Sequence, residues 1–268
     1  MKVGEHEGLP KPEVCEFRKP VALVLTYNRT GLLMGTISSF LQTTKGIPVH
    51  VFDDGSTSET KAHELMSLES QDLVKVHRLQ HQGFVKAWRA AFVFAAALKG
   101  YDSVITFEDD IVFADGWLDV LKKMQAGVAE KGLLQGMVTC FRPHSEMQSS
   151  KFDLKGVTAY QSFSHTFQVN LMPKAVIDGL DIFDEAAAEV AKSRTGKGLD
   201  VYWVALLAHR LHRVSFVCEQ SWAAHVGFES VVDKQGYMSC GYAGVNLVPE
   251  LKRFEESWKS HYELCQRV

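Results

Sequence analysis

Ser103-Val104-Ile105-Thr106-Phe107-Glu108-Asp109-Asp110-Ile111 is the stretch on which the reading of the fold turns. Its first five residues, rich in β-branched side chains, read as a buried strand of ordinary length. Three carboxylates follow without a break. At the end of a buried strand they repel one another and resist desolvation. A divalent cation relieves both costs, and hard oxygen ligands suit Mg2+ or Mn2+. A loop that is merely acidic is the competing reading, so the surrounding chain has to decide.

Upstream of the triplet, strand and helix patterns alternate. Val21-Ala22-Leu23-Val24-Leu25 reads as a first buried strand. Leu32, Leu33, Thr36, Ile37, Phe40 and Leu41 then recur at helical spacing. Val49-His50-Val51-Phe52 is a second strand and ends at Asp53-Asp54-Gly55-Ser56. Ser56 and Glu59 form a capping-box pair opening a helix to about residue 68. A third strand spans 74–79, and Gly83 precedes a helix whose face is Phe84, Trp88, Ala91, Ala95 and Leu98. After the fourth strand, Asp115 caps a helix carrying Trp117, Leu121, Met124 and Val128. Four such alternations predict an α/β fold, a parallel sheet with helices on both faces.

The second half is looser. Strands are expected at 136–141, within 157–170 and at 214–218, with a loop at 142–155. Helices are expected at 184–192 and 199–211, the latter with Asp200 in its first turn and preceded by a basic loop at 193–198. Leu251, Phe254, Trp258, Tyr262 and Cys265 mark one stripe of a C-terminal helix. We expect an N-terminal arm at 1–20 and one domain over 21–268. We divide that domain into two halves, 21–130 and 131–268.

With 268 residues, 46% of them apolar, the chain can bury a sizeable core. Its formal net charge of -3 advertises no nucleic-acid or membrane surface. Five scattered cysteines with no C-x-x-C pair argue against a zinc cluster or disulfide framework and for a reducing, cytoplasmic setting. No signal-peptide pattern opens the chain and no apolar run is long enough to span a bilayer.

In open α/β sheets ligands bind beyond the carboxyl ends of the strands. Three such ends are polar here: Thr26-Tyr27-Asn28-Arg29, Asp53-Asp54-Gly55-Ser56 and Glu108-Asp109-Asp110. An aromatic ring, hydrogen-bonding carboxylates and a metal site on one edge suit a nucleoside diphosphate. Neither G-x-G-x-x-G nor a Walker sequence follows the first strand, which disfavours a dinucleotide or a P-loop. Without a glycine cradle, a diphosphate needs a cation to hold it.

These motifs together resemble GT-A glycosyltransferases, most nearly of the family-2 type. The Glu-Asp-Asp segment is also similar to N-acetylglucosaminyltransferase I-like enzymes. His81-Gln82-Gly83-Phe84 with Trp88-Arg89-Ala90-Ala91 resembles the glycine-to-arginine helix start of that family. The likeness covers roughly 20–128 well and 199–228 more weakly. It implies a GT-A (Rossmann-like) mixed, mainly parallel sheet flanked by helices on both faces. It also implies that Tyr27 and Asp54 contact the nucleobase, with Thr26 and Arg29 nearby, and that Arg89 lies near the diphosphate or sugar. Asp110 would be the direct metal ligand, and Glu108 and Asp109 would meet ribose or sugar. Asp200 falls where the family places its catalytic base, although a helix-start Asp is also a common dipole partner. His225, followed by Val226-Gly227, falls where some GT-A enzymes use a second metal ligand, although a structural histidine fits the pattern too.

The resemblance therefore implies transfer from a nucleotide-diphosphate sugar, UDP-sugar favoured, with Mn2+ or Mg2+. The acceptor would be a glycan, a lipid-linked or protein hydroxyl, or a modified base in DNA. Arg142, Lys151, Lys155, Lys192, Arg194 and Lys197 lend the acceptor-side loops positive charge. Two competing readings are a sugar-nucleotide nucleotidyltransferase, whose glycine-rich basic loop is missing after the first strand, and a non-catalytic binding module. Asp181, Asp184 and Glu185 are reserve candidates for the base. Trp88, Trp117 and Trp258 read as core, while Trp203 and Trp222 fit either core or a sugar platform.

Overall fold

Successive side chains of a strand point to opposite faces, so a strand apolar at every position must be covered twice. The computed structural model, which describes residues 17–142, 150–162, 167–192 and 198–226, shows how this is met. In β1 (Pro20–Thr26), Ala22 and Val24 enter one buried cluster while Val21 and Leu23 enter another. The strands β2 (Val49–Asp53), β3 (Val74–Arg78) and β4 (Ser103–Glu108) lie parallel to it in the order β3-β2-β1-β4. They are joined by α1 (Leu32–Thr43), α2 (Glu59–Glu69) and α3 (Phe84–Ala97).

After β4 come the short β5 (Ile111–Phe113), α4 (Trp117–Glu130), β6 (Leu134–Thr139), β7 (Lys151–Leu154), β8 (Val157–Ser162) and β9 (Val169–Pro173). Then follow α5 (Lys174–Asp178), α6 (Leu180–Lys192), α7 (Leu199–Leu211), β10 (Arg213–Cys218) and β11 (Ala223–His225). The sheet continues from β4 through β9, β6, β10 and β8 to β7. Pairing turns antiparallel at β9 and β8, while β6 and β10 are parallel to each other. The result is the expected mixed, mainly parallel sheet between two helical layers.

One layer packs Phe40, Leu65, Leu68, Trp117 and Leu121 from α1, α2 and α4 against Val24 and Val51. The other packs Trp88, Phe92, Val176, Phe183, Trp203 and Leu207 from α3, α5, α6 and α7 against Leu23 and Val104. Trp203 meets Phe92 at 5.0 Å and Phe183 edge-on at 5.1 Å between ring centroids. Each such aromatic pair adds about 0.5–1.5 kcal/mol beyond the area it buries. Trp203 is therefore core rather than a sugar platform. No helix among the described residues is long and apolar enough to cross a membrane.

Several local expectations are corrected. Ser58, not Ser56, caps α2, accepting the Lys61 amide, while the Ser56 hydroxyl turns to Asp53. Gly116 with φ 87° precedes α4, so Asp115 is not its cap. The loop predicted at 142–155 contains β7, joined to β8 through Lys155 and Gly156 at φ 54° and 80°. Two consecutive positive φ values match the twist of a tight hairpin. The helix predicted at 184–192 begins earlier, at Leu180. The predicted C-terminal helix and residues 193–197 lie outside the described residues.

The hairpin depends on one small residue. A Cβ at Gly127 of α4 would fall 2.6 Å from the Leu154 Cα of β7. We predict that Gly127→Ala costs about 1–3 kcal/mol, as overpacking does elsewhere, seen as a lower urea midpoint with an unchanged slope.

Candidate active site

Register places the site. Leu25 of β1 pairs with Glu108 of β4, and Thr26 pairs with Asp53 of β2, so the three polar strand ends finish together. The triplet is deeply buried, with Asp109 1% and Asp110 0% exposed. Thr26 Oγ1 donates to Asp109 Oδ2 at 2.6 Å. The Arg29 guanidinium spans both acids, donating to Asp110 Oδ2 at 2.5 Å and to Asp109 Oδ1.

The fourth member arrives from the far end of the described chain. A two-stranded antiparallel ribbon pairs His225 of β11 with Ile111 of β5, and the Val226 amide donates to the Asp110 carbonyl at 2.9 Å. His225 Nε2 thereby lies 3.1 Å from Asp110 Oδ2 and 3.6 Å from Glu108 Oε2. One ligand atom from each of Glu108, Asp110 and His225 falls within 4.8 Å of the others.

The electrostatics follow from this crowding. Burial alone would raise Asp110, but hydrogen bonds and charge from His225 and Arg29 outweigh it and hold the carboxyl below its usual range. Asp109 goes the other way: burial dominates and, with Asp110 beside it, raises its pKa despite Arg29. Burial would lower the His225 imidazole, yet its contacts with Asp110 and Glu108 push it up to about 10.

Whether these residues fit a metal is answered by their donor set and their unused atoms. Two carboxylates and an imidazole suit Mn2+ better than Mg2+, since imidazole prefers transition ions. Asp110 Oδ1 and His225 Nδ1 are buried with no hydrogen-bond partner among the described residues. Buried polar atoms are rarely left unpaired. An orphan carboxylate oxygen beside a converging imidazole is what a metal ligand looks like before its ion is counted. The residues fit.

Around this centre the remaining predicted residues divide. Tyr27 stacks on His81 with ring centroids 4.4 Å apart and planes 18° from parallel. Asp54, 3% exposed, accepts the Gln82 and Gly83 amides at 2.9 Å each, so its carboxylate holds the turn that carries His81. Gly55 permits this closeness: at φ 72° it brings the His81 backbone where any Cβ would clash. Asp200 opens α7, and burial raises its carboxyl to about 6, opposed by the Val201 amide and reinforced by the charge of Glu108.

Arg89 was expected near a diphosphate or sugar. It forms a two-point pair with Asp184 of α6, at 2.6 and 2.8 Å. Of the reserve acids, Asp184 is thus engaged and Glu185 is paired with Arg210 at 2.7 Å. Trp222 packs on Ala114 and Ala224 beside the ribbon. Sequence reading missed the His81 ring as a stacking partner, and it missed Lys61 and Glu64 altogether. The latter two sit among the charged residues of α2, where nothing marks them as buried.

No family model matches the chain, and no curated protein sequence matches it. Among solved structures, it superposes on GalNAc-T7 with UDP, GalNAc and Mn2+ at a TM-score of 0.57 and 14% identity, covering 91% of this chain and 50% of that one. It superposes on residues 1–349 of S. aureus TarS in complex with UDP-GlcNAc at a TM-score of 0.53 and 15% identity, covering 82% and 61%. The chain thus spans half to three fifths of the length of these structures. At such identities the likeness establishes the fold: this is a GT-A architecture. The particular similarity to N-acetylglucosaminyltransferase I-like enzymes is not among these matches.

Removing a metal ligand typically weakens binding more than removing its supporting partner, which alone costs about 10–100-fold. We predict that Asp110→Ala and His225→Ala each lower Mn2+ affinity by at least about 100-fold in calorimetric titration. Arg89→Ala should leave it unchanged.

Proposed function

We propose that this chain is a metal-dependent glycosyltransferase that moves a sugar from a nucleotide-diphosphate donor to an acceptor hydroxyl, with inversion. One observation carries the reading: Glu108, Asp110 and His225 converge at the carboxyl edge of a GT-A sheet, with a raised Asp200 carboxyl electrostatically coupled to Glu108. UDP is the favoured nucleotide, because both structural neighbours named above hold UDP or a UDP-sugar on the same architecture. Mn2+ is the favoured ion on the chemistry of the imidazole ligand.

Each residue then has a task. Glu108, Asp110 and His225, the last giving up its Nε2 proton, would hold the divalent cation, which when bound neutralises charge developing on the departing diphosphate. Arg29, 22% exposed above the acids, presents a cation to the same phosphates. The stacked Tyr27 and His81 rings offer an aromatic surface to the nucleobase, while Asp54 keeps His81 in place. Asp109, bound by Thr26 and Arg29, braces the strand end and the arginine.

Asp200 is the base. Its carboxylate takes the proton of the acceptor hydroxyl as that oxygen bonds to the anomeric carbon and the carbon–diphosphate oxygen bond breaks. Attack from the face opposite the leaving group inverts the centre. A carboxyl raised to about 6 is a stronger base than an ordinary one yet is still ionised at neutral pH.

We predict that Asp200→Asn lowers transfer by about 100- to 10,000-fold, the usual worth of a positioned base, while UDP affinity stays near wild type. The sign of the pH effect follows from the need for the ionised form. In wild type kcat/KM should rise with pH through about 6 and then level, and the Asn variant should lose that step. A variant that keeps full transferase activity would remove Asp200 from the mechanism. Retention of the donor's anomeric configuration in the product would overturn inversion.

A further inference from the structure

Helix α2 hides an ion pair outside the acidic cluster. Lys61 and Glu64 are both 0% exposed, with Nζ and Oε2 2.7 Å apart. Lys and Glu are almost never fully buried unless paired. Even paired, two desolvated charges often stabilise a fold less than apolar residues of the same volume would. A reason beyond stability is therefore called for, and the remaining hydrogen bonds supply it.

Lys61 Nζ also donates to the Arg29 carbonyl at 2.7 Å. Glu64 Oε1 accepts the Gly31 amide at 3.0 Å and the Met34 amide at 3.2 Å, two N–H groups at the opening of α1. The pair thus grips the backbone on both sides of Thr30, next to the residue whose guanidinium spans Asp109 and Asp110. The opposite side of the loop is held too. The Asn28 amide donates to Ser56 Oγ at 2.8 Å, and Asn28 Oδ1 accepts the Thr57 amide at 3.0 Å. Asn28 sits at φ 54°, a left-handed conformation that Asn tolerates better than most residues. The turn between β1 and α1 is clamped front and back, and only the Arg29 side chain leaves it toward the acids.

We propose that Lys61 and Glu64 are positioning residues. Their buried pair sets the turn so that Arg29 is aimed at the acidic cluster and at the diphosphate of the donor. The inference rests on the donor-binding reading above. It adds that a helix contributing no ligand governs donor affinity through one backbone carbonyl and two amides.

The test is UDP binding in the presence of MnCl2, by calorimetry, alongside thermal unfolding. Lys61→Met alone should unfold several degrees lower, because it strands a buried carboxylate. Lys61→Met/Glu64→Leu removes both charges. It should recover most of that thermal loss while binding UDP about tenfold or more weakly than wild type. Adding Arg29→Met to the pair variant should cost little more, because the two changes remove one interaction and effects through a shared partner do not add.

Wild-type UDP affinity in the folded pair variant overturns the proposal, as does a full additive loss on adding Arg29→Met. Should that variant not fold, Lys61→Met/Glu64→Gln takes its place. It keeps a neutral acceptor for the Gly31 and Met34 amides and loses the Lys61 bonds to the Arg29 carbonyl and to residue 64. Weakened UDP binding then supports the proposal, and unchanged binding overturns it. A wild-type protein that binds no UDP in MnCl2 would instead refute the donor-binding reading, and this inference with it.

Discussion

Adjacent buried carboxylates must be met by positive charge, and the carboxyl edge of this sheet is organised by that requirement. Like charges brought together away from water repel at a cost that is large beside the marginal stability of a domain. Asp109 and Asp110 are almost wholly excluded from water. Three protein cations answer them from three elements: Arg29 from the turn after β1, His225 from β11, and, at longer range, Lys61 from α2. The acids divide accordingly. Asp110, with two cationic contacts, is held in its charged form, while Asp109 is held less firmly.

The fold serves this arrangement by alignment. Parallel pairing brings the ends of β1, β2 and β4 to one edge, so residues from separate loops meet without any loop having to be long. The antiparallel ribbon of β5 and β11 adds the histidine, and its register sets His225 beside Asp110. The apolar side chains on both faces of the central strands are sealed by helical layers, which support that edge. Such support matters because ligand distances must hold to a fraction of an ångström for a metal to be bound tightly.

Much of this was legible in the sequence. The alternation of apolar runs with helical stripes predicted the first four strands and their helices, and the acidic triplet pointed to the edge where they end. Local chemistry was read less well where two residues competed for one job. Ser56 and Ser58 both precede α2, but Ser56 is taken by Asp53, leaving Ser58 to cap. Arg89 of α3 pairs with Asp184 of α6, a contact between segments that no local spacing shows. Lys61 and Glu64 are the extreme case. A charged pair at i and i+3 reads as a solvated helix face, and only the packing of α2 against the β1–α1 turn makes it a buried clamp.

The sequence by itself determined the architecture and the chemistry of each strand end. Periodicity is a local property, and the residue types that bind phosphates and metals are visible one by one. What only the tertiary structure decided is which of them act together. His225 joins Asp110 through strand pairing, His81 meets Tyr27 because a glycine lets two loops touch, and Lys61 reaches the Arg29 carbonyl across a helix packing interface. Such partnerships depend on register, on backbone conformation and on which charges are removed from water. These are set by contacts between segments far apart in the chain, and no local pattern encodes them.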